Sequence, residues 1–466
     1  MLNIKRCNIF HLNRDSRGSA LVLVLVIVTV VTVIVNIMLI GSLLHLHLIK
    51  TDLYQLQAQY LAEAGVYKTM WYLSGRGGKD YRWRPKNEVI ELPDGYVCTV
   101  SVEQWGGYLR VVSTAQYAKA TKKLQVLVGE KPSFPFQQAI FIGGTDYPLV
   151  VAGKNRIIGD VTLGKEGVRQ GTLPGTPFQS EQLVNGRIYR QPQPKLPYFN
   201  AFLLESTMTK NQLLLDNPQG QEIFHSQRFD QTNWPTFEQN LMIYVHGDLY
   251  ITGEVKIQGP GTLVSTGNLI IADKSKLEGS LWLISGGKMI IRNGVRITGC
   301  LLSAQGDIEI SDRCKIIGQL FSSGDIILRN HAEVGYPAVI YSVGTMQHDK
   351  IEGKIILQDQ AIVRGTIIFC SKNHQPPPKK DETIVIVEKE AKVIGVIYSE
   401  NNTTVHGTVY GTVITGKFFL YEPPTIYLNW LKDATIDRTK LPNGFLLPLT
   451  FTKTPHLDVV IWQSCN

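Results

Sequence analysis

Hydrophobic positions along this chain change their period from one stretch to the next, and each period predicts a different element. Residues 20–40 read ALVLVLVIVTVVTVIVNIMLI, apolar on every side, and no Asp, Glu, Lys or Arg occurs from Gly18 to Ile49. Wound as a helix at about 1.5 Å per residue, such a run is long enough to cross a hydrocarbon core of about 30 Å. Beyond Lys50 the apolar positions thin to Leu53, Leu56, Tyr60, Leu61, Ala64 and Met70, three or four apart and free of proline. That spacing continues the helix with one apolar face, and Gly75, Gly77 and Gly78 end it. One rod over 19–73 is expected, roughly 80 Å long at 1.5 Å per residue.

After the glycines the period falls to two. Alternating residues, with turn signals at Pro93-Asp94-Gly95 and Gly106-Gly107, predict antiparallel strands over 88–92, 96–103, 108–117 and 122–128. From residue 140 onward a longer repeat takes over: apolar-x-apolar, three residues, small-x-apolar-x-Gly. It reads LVVAGKNRIIG at 149–159, then starts again at 249, 269, 289, 308, 326, 355 and 385. A second apolar piece, such as TLVSTG, SLWLISGG or QLFSSG, fills each interval. Coils of about 18–20 residues with short strands and Gly or Asn/Asp corners describe a β-solenoid, whose stacked coils share one core. The inward set runs from Leu269, Ile271 and Leu277 through Ile291, Ile297, Ile308, Ile310 and Ile316 to Ile326, Leu328 and Val334. Loops 344–353 and 372–383 project from it. A short helix over 200–215 is expected to cap a solenoid end, and Trp430, Phe445 and Trp462 to cover the last coils.

The fold class is therefore mainly β: a long N-terminal helix, a small antiparallel region, then a solenoid. The segments are a basic leader at 1–18, the helix at 19–73, the small β region at 74–131, first coils with a polar insertion at 132–240, the solenoid at 241–420 and a C-terminal cap at 421–466. With 466 residues and 44% hydrophobic content the chain can bury a substantial core. The net charge of +8 is weighted by the leader's Lys5, Arg6, Arg14 and Arg17 against Asp15. The other bases read as scattered, without a Lys/Arg stripe, so no nucleic-acid partner is expected. The leader sets the N-terminus in the cytoplasm and the bulk of the chain outside it. Cys7, Cys98, Cys300, Cys314, Cys370 and Cys465 lie too far apart in the chain for a CxxC metal site or a disulfide framework, and Cys300 and Cys314 read as buried small apolar groups.

RGSALVLVLVIVTVVTVI, followed by AQYLAEAGVYKTMWYL, resembles the N-terminal domain of type IV pilus assembly proteins of the PilX family. The resemblance spans 16–73, and its more specific part is Ala62, Glu63, Ala64 and Gly65. It implies a minor-pilin-like subunit whose leader a prepilin peptidase cuts between Gly18 and Ser19, with the membrane, other pilin-like subunits and pilus assembly proteins as partners. Leu23 stands where most major pilins carry a glutamate that helps register a subunit on its neighbour, which points to a specialised subunit. The coils also resemble bactofilin-type β-helices in architecture.

Because β-helices also carry polysaccharide-cleaving enzymes, the acids deserve weighing. Asp248, Asp307 and Asp325 each follow a glycine, the position of a turn residue bonding to backbone, and Asn268 and Lys288 interrupt any line of ligands. His45 and His47 are two apart on a helix and face different ways. No catalytic, cofactor or metal residue is assigned, and no enzyme activity is expected. The leading expectation is a membrane-anchored structural subunit displaying a solenoid for assembly or adhesion. The alternative is a surface-anchored, carbohydrate-binding or carbohydrate-processing β-helix.

Overall fold

The structure, a computed structural model, describes residues 16–75, 87–144, 147–174, 176–217, 222–231, 241–347, 350–371 and 384–465. Most of the basic leader with Cys7, the glycines at 77 and 78, and the proline-rich loop 372–383 lie outside the described residues. The first element, α1 (Ser16–Leu73), is a single helix of 58 residues, begins three residues ahead of the expected start and runs through Gly18-Ser19 without a break. Gly75, at φ +79°, follows it.

Four antiparallel strands come next: β1 (Glu88–Glu91), β2 (Val97–Trp105), β3 (Tyr108–Tyr117) and β4 (Ala120–Glu130). They pair in sequence order, and alternate residues such as Cys98, Val100, Val102, Val111 and Val126 are buried on one face. A fifth strand joins β4 from the far end of the chain, Leu457–Cys465, with Trp462 opposite Val126. This corrects the expected cap. Trp462 lies in the small sheet, 6.0 Å from the Tyr67 ring of α1, while Phe445 packs 5.4 Å from Tyr336. The strand reads LDVVIWQSC and carries a bulge between Val459 and Ile461, and it completes the hydrogen bonds of an edge that would otherwise stand open.

The solenoid has three sides. One coil contributes Leu269–Ile271, Lys276–Glu278 and Leu281–Ser285, and each lies parallel to its equivalent in the next coil: Leu269 to Met289, Leu277 to Ile297, Leu283 to Leu302. All of the inward residues named from the repeat are buried in one continuous core. The corner between the first two sides is turned by paired residues at positive φ, among them Asp273-Lys274, Asp312-Arg313 and Asn330-His331. Asn and Asp tolerate that left-handed backbone, and here they also bond from coil to coil: Asn293 Nδ2 donates to Asp273 Oδ1 at 3.1 Å.

Stacking order departs from chain order. Residues 140–163, expected as the entry coils before 249, instead lie beyond the last ones: Val413 pairs with Ile140, Ile436 with Ile157, and Trp430 with Val150. At the opposite end Glu222–Phe229 pairs with Leu241–Ile251 and opens the stack. The chain thus enters the solenoid at one end, crosses to the other, and returns coil by coil to where it began. The crossing includes α2 (Phe202–Asp216), which does not cap an end but lies along the third side, with Leu215 against Tyr244, Val264 and Ile284. A repeat shows which segments share a cross-section and leaves their order along the axis open.

Candidate functional site: the N-terminal helix on its sheet

The two halves of α1 stand in opposite surroundings. Over residues 20–50 every described side chain is exposed, and an 18-residue window reaches a mean hydropathy of 3.1 with nothing packed on it. The helix is long and apolar enough to cross a membrane. Three of its polar side chains turn back on their own backbone: Thr29 Oγ1 donates to Leu25 O and Thr32 Oγ1 to Val28 O, both at 2.7 Å, and Asn36 Nδ2 to Thr32 O at 3.0 Å. In hydrocarbon, where no water satisfies them, that is the arrangement polar groups require.

From Ala58 the helix lies on the sheet. Ala58, Ala62, Val66, Thr69, Met70 and Leu73 are buried at spacings of three and four, against Cys98, Val100, Val111 and Val126. Each large aliphatic side chain in such a contact contributes roughly 1.5–3 kcal/mol by burial. Gly65 marks the closest approach, since a Cβ there would stand 2.5 Å from both Cys98 Sγ and Ser113 Oγ. Of the four motif residues, then, Ala62 and Gly65 let helix and sheet meet and Ala64 packs at the rim. Half-buried Glu63 receives a 2.9 Å hydrogen bond from Gln59 Nε2. Gly18 and Ser19 lie in the first turns of α1, more than 35 residues from this contact.

The small sheet is held to the solenoid through a contact the sequence reading missed. Gln319, fully buried on the third side, donates through Nε2 to Trp105 O at 2.9 Å and accepts from Gly107 N–H through Oε1 at 2.8 Å. Gly106, at φ +57°, fits because a Cβ would meet that amide. Nearby, Gln104 Nε2 donates to Thr207 Oγ1 at 2.8 Å on α2. The third side offers these contacts because its outward row, Val264, Ile284, Phe321, Tyr341, Ile368 and Tyr398, interrupted only by Ser303 between Ile284 and Phe321, is largely apolar as well as its inward one. A signal existed: pieces such as LWLIS and AVIYS are continuous apolar runs, the mark of a strand buried on both faces.

Glu130, where β4 ends, holds the incoming C-terminal segment. Its carboxylate accepts from Phe451 N–H at 3.2 Å and from Thr452 Oγ1 at 3.0 Å, while its backbone exchanges hydrogen bonds with Leu447. Burial pushes its carboxyl up to about 8 despite those donors.

The Gly-Asp acids bond to backbone of the next coil, not of their own turn: Asp248 Oδ1 accepts from Asn268 N–H at 2.7 Å, Asp307 Oδ1 from Asp325 N–H at 2.9 Å, and Asp325 Oδ1 from Lys354 N–H at 2.7 Å. Asn268 takes the same role toward Lys288 N–H at 2.9 Å. Among the described residues, no group of three His, Cys, Asp or Glu side chains is placed to hold a metal ion. Cys98, Cys300, Cys314 and Cys370 are free and buried, and burial pushes the Cys300 thiol up to about 12.

No family model and no curated protein matches the chain, so neither the PilX-type nor the bactofilin-type resemblance gains a counterpart there. Among solved structures the chain is similar to the competence-associated pilin ComZ from Thermus thermophilus, at 12% identity over 88% of this chain and 97% of that one, with a TM-score of 0.21, a likeness too distant to carry an argument.

Proposed function

We propose that this chain is a membrane-anchored, pilin-like structural subunit of type IV pilus or related machinery, carrying its β-solenoid outside the cytoplasm. The observation that supports it best is the division of α1 into a bare apolar half and a half laid on an antiparallel sheet through Ala62 and Gly65. In this reading a prepilin peptidase removes the leader between Gly18 and Ser19 on the cytoplasmic face. The bare half then sits in the bilayer or against the helices of other pilin-like subunits and assembly proteins. The role is structural, without a catalytic step, and the solenoid serves contact or adhesion. Leu23, in place of the registering glutamate, suits a low-copy subunit.

Mass spectrometry of the chain purified from membranes tests the reading. A mature N-terminus at Ser19 is expected. An intact leader in cells with an active prepilin peptidase would overturn it.

A further inference from the structure

The second side of the solenoid gathers a charged row that the linear sequence disperses. Lys256 pairs with Lys276, Lys276 with Arg296, and Arg296 with Lys315, on four successive coils. Bases about 20 residues apart therefore stand about 4.8 Å apart along the axis, and the stripe not expected from the sequence is present in the fold. The four point outward, because the next residue of each strand, Ile257, Leu277, Ile297 or Ile316, is buried in the core. Lys315 meets Glu333 at 3.5 Å, whereas Lys256, Lys276 and Arg296 have no ion pair among the described residues.

Two residues further along the same strands, Thr298 and Ile317 line a cleft of about 340 Å³ between the solenoid and the outer face of the small sheet. Its opposite wall holds Trp105, Arg110, Gln125 and Gln463, and Gln125 Nε2 donates to Gln463 Oε1 at 3.0 Å. An aromatic edge, a guanidinium and two amides thus run beside a straight line of cations.

We propose that this row and cleft bind a linear acidic polysaccharide along the solenoid axis, its carboxylates meeting Lys256, Lys276 and Arg296. Rungs about 4.8 Å apart offer a linear polyanion a regular series of cations along its length. The amides suit sugar hydroxyls, which both donate and accept. Duplex DNA fits less well. It carries one negative charge per about 1.7 Å of axis, a far denser line of charge than one row of cations about 4.8 Å apart can match. The inference concerns the solenoid and the small sheet beside it and stands or falls independently of leader cleavage.

The test uses the full chain in detergent with polygalacturonate as the probe. At low ionic strength polygalacturonate is expected to bind and fully methyl-esterified, neutral polygalacturonate to bind at least tenfold more weakly. The outward-facing triple variant Lys256→Gln, Lys276→Gln, Arg296→Gln should lose tenfold or more with an unchanged melting temperature, and Gln463→Ala should lose a few-fold. Absence of polygalacturonate binding, equal binding by the triple variant, or tighter binding of duplex DNA than of polygalacturonate would each overturn the proposal.

Discussion

The first and second halves of α1 are one helix in two different settings. Val31 and Tyr67 are 52% and 55% exposed, yet Val31 belongs to a segment with nothing packed on any side and Tyr67 to one that buries its opposite face on a sheet. Apolar content does not decide which half docks, because the bare half is the more apolar of the two. Small residues decide it. Ala58, Ala62 and Gly65 let the backbone come close to β2 and β3, whereas the bare half presents Leu, Val and Ile all round and fits no complementary surface within the chain.

The sharpest way to break this contrast is to replace one glycine in each half. Gly65→Leu puts a side chain where even a Cβ lies 2.5 Å from Cys98 Sγ and Ser113 Oγ, and a loss of about 3 kcal/mol is expected in chemical denaturation of the region that follows the apolar half. Gly41→Leu meets nothing within 4 Å and should leave that stability unchanged. Val31→Arg places a charge mid-span and should cost about 3 kcal/mol in membrane insertion, read as the inserted fraction in a translocation assay. Tyr67→Arg should leave insertion unaltered.

A somewhat smaller effect is expected where the sheet meets the solenoid. Gln319→Leu strands Gly107 N–H and Trp105 C=O, which the amide now satisfies, for a loss of about 2 kcal/mol. Faster hydrogen exchange at 105–108 should accompany it, with the α1 contact intact. Glu130 gives the most gradual effect, spread over pH. Its carboxyl titrates from about 8 when folded, against an ordinary 4.5, so between those values the folded chain holds a proton that the unfolded chain releases. Stability should therefore fall as pH rises through that window, by about 1 kcal/mol per pH unit, and Glu130→Gln should flatten the slope.

Within-segment features were legible in the sequence. The rod, the four strands and the inward residues from Leu269 to Val334 follow from periodicity, because each depends on neighbours a few positions away or one coil on. Between-segment features were not. That Ile140 stacks on Val413, that Leu457–Cys465 returns to β4, and that Lys256, Lys276, Arg296 and Lys315 form a row are all set by which distant surfaces meet. The docking role of Gln319 was hidden for the same reason, since one glutamine in QLFSSG carries no sign that a hairpin will land on it. The motif Ala62–Gly65 was visible as a pattern, and its physical meaning, a close helix–sheet approach, came only with Cys98 and Ser113 in place.

The central claim is that α1 has a lipid half and a sheet half, and matched cysteines test it most directly. In a chain with Cys7 and Cys465 changed to Ser, Val31→Cys and Tyr67→Cys are each exposed to a membrane-impermeant maleimide in intact membranes. Two positions of almost equal exposure in the isolated chain should behave oppositely, with residue 67 labelled and residue 31 protected. Equal labelling of both would contradict the account.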